Sequence, residues 1–313
     1  MAGLIGLDWG TSSLRAYWLD AGSDIIETRT RPWGIRHLPQ GGFDAALREI
    51  TSGWPAVPLI ACGMVGSRNG WVEVPYLELP TEPAQLGAAL HCTRTGDNRE
   101  LHIVPGLHTG NGPDVMRGEE TQLVGALASQ PDPQDRCTWI LPGTHSKWVS
   151  TVNGAVSDFC TMMTGELFAV LRQHSLLGAG IEAGDPDPEA FRRGVLNARN
   201  SGVVGAMSRL FSARTLVLDG ELPAASVPDY LSGLLLGEEL RANLATGRFA
   251  HDRPIQLIGD VELCARYRDA AACFDIPLAE PLVDAAAHGL WQLARQAGLI
   301  NADNATGKEI SAC

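Results

Sequence analysis

The 313-residue sequence has no Cys-x-x-Cys pair, no run of lysine or arginine, no apolar stretch of membrane-spanning length and no G-x-x-x-x-G-K-[ST] motif. Each absence removes a class of function. Seven cysteines scattered at 62, 92, 137, 160, 264, 273 and 313 make neither a disulfide framework nor a zinc site, and read as free thiols of a reducing compartment. The 24 basic residues against 36 acidic ones leave a net charge of −12. Without a local basic patch that balance excludes a nucleic-acid binder, though a few placed Arg or Lys side chains can still hold an anionic small molecule. The opening MAGLIGLDWG has no basic segment followed by a long apolar core, and LSGLLLGEEL is short and ends in charge. No membrane partner is expected, and the expected location is the cytoplasm. The missing lysine motif excludes the P-loop class. Self-association is left open.

What is present is a phrase written nearly twice. LIGLDWGTSSLRAYWLD at 4–20 and WILPGTHSKWVSTVNG at 139–154 each run from an apolar segment through Gly-Thr and small polar residues to a second alternating segment and a turn. A constant offset carries Gly10-Thr11-Ser12-Ser13 onto Gly143-Thr144-His145-Ser146, and Asp20-Ala21-Gly22 onto Asn153-Gly154-Ala155. A Gly-Thr turn between strands lets backbone N–H groups point at a phosphate without side-chain obstruction. One such turn per half predicts a nucleotide gripped by two related lobes.

The pattern around the turns is that of an α/β duplication. Residues 4–9, 14–19 and 25–31 read as three strands whose short connections make them antiparallel. A helix over 41–52, a buried strand and loop over 57–66, an alternating edge or lid strand over 71–80, a short helix over 83–91, a strand in ELHIVPGL and an acid-led helix over 117–129 follow. PDPQD at 131–135 reads as a linker. WILPGT, SKWVSTV and AVSDFCTMM then repeat the opening strands, and helices are read in GELFAVLRQHSLL, VVGAMSRLFSART, DYLSGLLLGEELRANL, VELCARYRDAAACF and LVDAAAHGLWQLARQAGL. GIEAGDPDPEA at 180–190 reads as a surface loop and PIQLIG as a strand. The expected domains are 1–130 and 136–313, with the last helix able to return to the first.

Several side chains carry candidate chemistry, each with a plainer role beside it. Asp8, at the end of a buried strand, suits Mg²⁺ held largely through water, or simply caps its turn. Lys147 suits phosphate oxygens or faces solvent, and His145 suits substrate, phosphate or an ordinary hydrogen bond. Asp114, Glu119 and Glu120 cluster before or within the first turn of a helix. Phosphoryl transfer to a hydroxyl needs such a carboxylate, and a helix dipole favours acids there anyway. In CGMVGSRNGWVEVPY, Arg68 suits a carboxylate and Asn69 suits hydroxyls or carbonyls, next to Ser67 in what is otherwise a glycine-rich hairpin. Gly259 lets a flat base lie on backbone, in a strand-Gly-helix arrangement common to many folds. Gly233 and Gly237, four apart, suggest a close helix crossing.

Together these pieces resemble the sugar kinase, actin and heat-shock chaperone ATPase superfamily. Asp8-x-Gly10-Thr11 is similar to its first phosphate motif, Gly143-Thr144 to its second, and the Gly259 segment to its adenosine motif. GLDWGTSSLRA, CGMVGSRNGWVEVPY, PDVMRGEETQ, LPGTHSKWV, TMMTGELF, LFSART and SGLLLGEEL, in that order, resemble the 2-dehydro-3-deoxygalactonokinase family over roughly 4–300. The resemblance implies two ribonuclease-H-like lobes with a nucleotide cleft between them. It implies ATP-dependent phosphorylation of the terminal (C6) hydroxyl of 2-dehydro-3-deoxy-D-galactonate, with Mg²⁺, in galactonate breakdown. ATP would meet Gly10, Thr11, Ser12, Gly143, Thr144, Lys147 and Gly259, and the sugar acid Ser67, Arg68 and Asn69. Related hexokinases carry their base in an Asn-Asp-Thr phrase; Glu119-Glu120-Thr121 stands at the matching place, so Glu120 takes that role, with Asp114 as rival. Two other readings stand beside this one: a kinase for another sugar acid or an amino sugar, and an actin-like ATP-binding regulatory module.

Overall fold

The computed structural model describes residues 3–110, 112–130, 136–182 and 184–300. The linker read at 131–135 and the last of the seven cysteines lie outside the described residues. These residues divide into two compact units: up to 130 with 153–158 and 284–300 in the first, and 136–152 with 159–283 in the second.

The first unit is built on β1 (Leu4–Trp9), β2 (Leu14–Leu19) and β3 (Ile25–Arg31), followed by α1 (Gly42–Ile50) and β4 (Leu59–Gly63). Next come β5 (Leu77–Glu78), α2 (Pro83–Ala88), β6 (His91–Arg94), β7 (Glu100–Ile103), β8 (Leu107–His108), β9 (Val115–Met116) and α3 (Glu119–Ser129). The main sheet runs β3-β2-β1-β4-β7-β6. β1 is antiparallel to β2 and parallel to β4, so its C-terminal end, with Asp8, lies beside the C-terminal end of β4, with Cys62 and Gly63. That is where open α/β sheets place their ligands. β1 and β4 are buried on both faces, as central strands with apolar runs should be.

Two expected strands differ. The stretch 71–80 forms only the two-residue β5, in a small β5-β8-β9 sheet, because Pro75 and Pro80 cannot donate to a ladder. ELHIVPGL is broken by Pro105-Gly106 into β7, in the main sheet, and β8, in the small one.

The rest of the chain repeats the scheme with β10 (Arg136–Leu141), β11 (Ser146–Val152) and β12 (Ala155–Met162, whose residues up to Asp158 are counted with the first unit), then, in the second unit, α4 (Thr164–His174), α5 (Pro188–Arg199), α6 (Ser212–Leu218), α7 (Val227–Thr246), β13 (Ile255–Ile258), α8 (Val261–Ala272) and β14 (Leu278–Leu282). Its sheet runs β12-β11-β10-β13-β14, with β10 antiparallel to β11 and parallel to β13, the arrangement of β3-β2-β1-β4-β7. Helix α5 starts inside the expected 180–190 loop. Asp187 caps it, accepting from the Glu189 and Ala190 N–H groups at 3.1 and 2.9 Å, and Pro188 fills its first position. The expected helix over 203–215 is instead two 3₁₀ turns and α6, interrupted at Gly205 with φ +75°.

Glycines let helices touch. A Cβ on Gly233 would lie 2.0 Å from the Phe191 carbonyl oxygen, so α7 crosses α5 backbone to backbone, as the Gly233/Gly237 spacing predicted. Helix α9 (Ala285–Gln296) belongs to the first unit although it follows the second in sequence. Gly125 of α3 and Gly289 of α9 have no room for side chains, a Cβ falling 2.0 Å from Ala285 O and 1.9 Å from Thr121 O respectively. That crossing fixes the N-terminal turn of α3 at the sheet end. No helix among the described residues is long and apolar enough to cross a membrane.

Candidate active site

The first Gly-Thr turn is closed by the Gly10 N–H donating to Ser13 O at 2.9 Å. Its carbonyls are tied from outside: Ile35 N–H donates to Gly10 O at 3.1 Å and Arg36 N–H to Thr11 O at 3.3 Å. Gly34 makes this approach sterically feasible, since a Cβ there would fall 2.2 Å from Thr11 and Ser12 backbone atoms. Thr11 is half-buried and Ser12 exposed, so the turn presents its backbone at the rim.

Three carboxylates gather at that end of the sheet. Asp8 is partly buried; burial pushes its carboxyl up from the ordinary value, Arg15 opposes this, and the Glu119 carboxylate adds to the rise. Glu119, half-buried at the start of α3, accepts the Arg117 backbone N–H at 3.0 Å. Glu120 is 0% exposed; one oxygen accepts from the Gly118 N–H at 2.7 Å and the other from the Thr121 hydroxyl at 2.9 Å. Burial, then Glu119, raises its carboxyl to about 8, against those hydrogen bonds. The Cys62 thiol sits among them, 3.9 Å from an Asp8 oxygen, and burial followed by Asp8 and Glu120 drives it well above its ordinary value. Gly118, at φ +107°, turns the chain into α3 so closely that a Cβ would meet Gly63 Cα at 3.3 Å. Three carboxylates crowded together suit a hard divalent cation, whose charge would relieve their mutual repulsion. Asp8 and Glu119 are the members with exposed surface to meet one.

Other expected site residues are placed differently. Asp114 lies in the turn before β9, an oxygen accepting the Val115 N–H at 2.8 Å. Ser67 is buried, its hydroxyl donating to Met64 O at 2.7 Å, in a tight turn that Gly70 closes with its N–H on Ser67 O. Arg68 and Asn69 stand exposed at the tip, and Trp71 anchors the loop by stacking on Phe43 at 5.4 Å. Arg117, inside the RGEETQ phrase, drew no role from sequence, yet the structure buries it against this loop.

In the second unit, the Gly143-Thr144 turn is backed by α4. Glu166 N–H donates to Thr144 O at 3.0 Å, and a Cβ on Gly165 would fall 2.6 Å from Gly143 O. Gly143 itself faces open space, and Thr144 and His145 are exposed, with the His145 ring paired to Glu166. Lys147 does not face solvent: it is 4% exposed and donates to His145 O at 3.3 Å. Under the turn lies Glu239 of α7, 0% exposed, accepting from Ser146 at 2.7 Å, Trp148 at 2.9 Å, Tyr267 at 2.9 Å and Thr164. Sequence reading gave Glu239 no role, because its donors come from three separate elements. Gly259, at φ +150°, ends β13, and Asp260 caps α8 by accepting the Leu263 N–H at 3.0 Å.

Comparison with known proteins follows the same lines. The family described as 2-keto-3-deoxy-galactonokinase matches residues 8–293. A 2-dehydro-3-deoxygalactonokinase of Escherichia coli (strain K12) is 39% identical over 271 residues, 85% of this chain and 88% of that protein. A crystal structure from Sinorhizobium meliloti, named for the same activity, superposes with TM-score 0.84 at 33% identity, covering 93% of this chain and 98% of the other. The activator of 2-hydroxyisocaproyl-CoA dehydratase from Clostridium difficile, solved with bound ADPNP, matches 99% of this chain and all of its own at TM-score 0.51. At 15% identity that likeness speaks to the fold alone.

Proposed function

Since the chain belongs to the 2-keto-3-deoxy-galactonokinase family and is an ATP-dependent sugar-acid kinase, we propose that it phosphorylates the C6 hydroxyl of 2-dehydro-3-deoxy-D-galactonate, giving the 6-phosphate and ADP in galactonate breakdown. The observation that carries the reading is the placement of Asp8 and Glu119 at the ends of β1 and α3, next to the Gly10-Thr11 turn. Thr11 and Ser12 offer backbone N–H groups to phosphate oxygens in the first unit, Gly143 and Thr144 do so in the second, and Gly259 leaves room for a base. Asp8 would hold Mg²⁺, which when bound supplies charge neutralisation for the transferred phosphoryl group.

In this reading the proton acceptor is Glu119 rather than the expected Glu120. Glu120 is enclosed, with both oxygens engaged, whereas Glu119 has exposed surface beside Asp8. Geometry ranks before pKa in choosing a base, so Glu119 orients and deprotonates the hydroxyl, and Glu120 shapes the helix start. Asp114 holds its own turn. Catalysis then rests on positioning and charge stabilisation.

The test is release of ADP from Mg·ATP with keto-deoxy sugar acids derived from galactonate and gluconate, with phosphorus NMR locating the product phosphate. Acceptor-dependent release with phosphate on C6 supports the reading. Slow release indifferent to acceptor sinks it in favour of a regulatory ATP-binding module.

A further inference from the structure

Arg117 joins β9 to α3 and is 8% exposed. Its Nη2 donates to the Val74 carbonyl at 2.6 Å, and its guanidinium carbon lies 4.3 Å from the centre of the Tyr76 ring. Its Nε and Nη1 are buried without a hydrogen-bond partner among the described residues. Among the described residues no carboxylate pairs with the guanidinium; the Glu119 carboxylate accepts the Arg117 backbone N–H instead. Gly66 makes the space: a Cβ there would stand 2.8 Å from Nη1. A guanidinium is always charged, and leaving one buried with two nitrogens unmet is costly unless an anion completes it.

We propose that Arg117 is the specificity-determining residue for the acceptor: its guanidinium receives the carboxylate of the α-keto acid, under Tyr76. The proposal rests on the sugar-acid kinase reading and names which group recognises the acid. The position fits. Arg117 lies two residues before Glu119, so a chain-like sugar acid held here by its carboxylate has its far end to offer to the first turn of α3. The backbone around Tyr76 has no regular structure on its N-terminal side, from 71 to 76, and Tyr76 itself is 37% exposed, so the ring can swing aside to admit the carboxylate. Arg68, exposed at the loop tip, meets the acid's hydroxyl-bearing portion or solvent.

The experiment compares the full-length protein's affinity for 2-dehydro-3-deoxy-D-galactonate and for its uncharged C1 amide, by calorimetry without nucleotide, and then the KM values with Mg·ATP. Wild type should prefer the acid. Arg117→Lys should raise the acid's Kd and KM by about 10- to 100-fold, the range for a charged hydrogen bond, while the amide and the KM for ATP stay within about twofold. Gly66→Ala, which pushes a methyl group against Nη1, should lower the acid-to-amide preference in the same direction and stands in if the lysine variant does not fold. A folded Arg117→Lys that keeps the wild-type preference overturns the proposal while leaving the kinase reading intact. Loss of preference in Arg68→Ala, with none in Arg117→Lys, places the carboxylate at the loop tip and overturns it as well. Acceptor-dependent ADP release from wild type without any preference for the acid also overturns it. A wild type that binds neither compound takes the kinase reading down with it.

Discussion

Each half of the molecule sets a buried glutamate near its Gly-Thr turn, and the two are treated differently. Glu120 has two donors and a like-charged neighbour in Glu119, with Asp8 close by, where Arg15 and the Cys62 thiol favour the charged form against burial and Glu119. Glu239 has four neutral side-chain donors from β11, α4 and α8 and no acid among the causes of its shift, although burial still raises its carboxyl. A cluster of neighbouring acids can take up a cation and do chemistry. A single acid fully supplied with donors holds elements together. On the proposed reading, the duplicated scaffold keeps one copy for reaction and the other for architecture around a turn that would face phosphate.

The sharpest way to break that comparison is to neutralise an acid in each half. Glu119→Gln should lower kcat by about 100- to 10,000-fold with the KM for ATP little changed, and Asp8→Asn should abolish turnover that added Mg²⁺ does not restore. Steady-state kinetics across Mg²⁺ concentrations reads both, and normal turnover in either variant removes that residue from the reaction. Glu239→Gln should instead act on the fold, costing about 3 kcal/mol because an amide N–H₂ faces donors that lose their acceptor. Denaturant melts measure this; a variant as stable as wild type would mean the donors find other partners.

Glu120 sharpens the contrast through pH. Its folded value of about 8 lies above the ordinary 4.5, so the folded state retains a proton that the unfolded chain has lost. That contribution to stability is full below about 4.5 and is lost as pH rises through 8, at roughly 1 kcal/mol per pH unit in between. Glu120→Gln should flatten this slope between pH 5 and 8, whereas an unchanged slope would assign it to other groups. The smallest effects come from the glycines behind the turns. Gly34→Ala, with its methyl 2.2 Å from the first turn, should raise the KM for ATP more than Gly165→Ala, at 2.6 Å from the second. The reverse order would make the second turn the more tightly constrained of the two.

Periodicity and turn chemistry alone located the strands on either side of both Gly-Thr turns, because apolar alternation and glycine act locally. Prolines at 75 and 80 were visible as breakers, yet how little strand survived around them depended on pairing with β8. Helix α5 was legible in Asp187-Pro188, a cap followed by a first-turn proline, and was hidden only by the polarity of its surroundings. Asp8 and the acids of α3 were readable as candidates from their place beside a turn and at a helix start.

Which of those acids has access was not readable. Glu119 and Glu120 are neighbours of the same type, and the packing of the start of α3 against the sheet end leaves exposed surface on one and encloses the other. Arg117 and Glu239 are ordinary charges in sequence. They become a guanidinium that no described carboxylate meets and a carboxylate with four donors only when segments distant in the chain, Gly66 and Val74 for one, Ser146, Thr164 and Tyr267 for the other, close around them. The sequence by itself determined the duplicated strands, the two turns and the residue types at hand. Burial and partnership, which set charge state and access, were decided by tertiary structure, because desolvation and hydrogen bonding depend on neighbours that chain order does not specify.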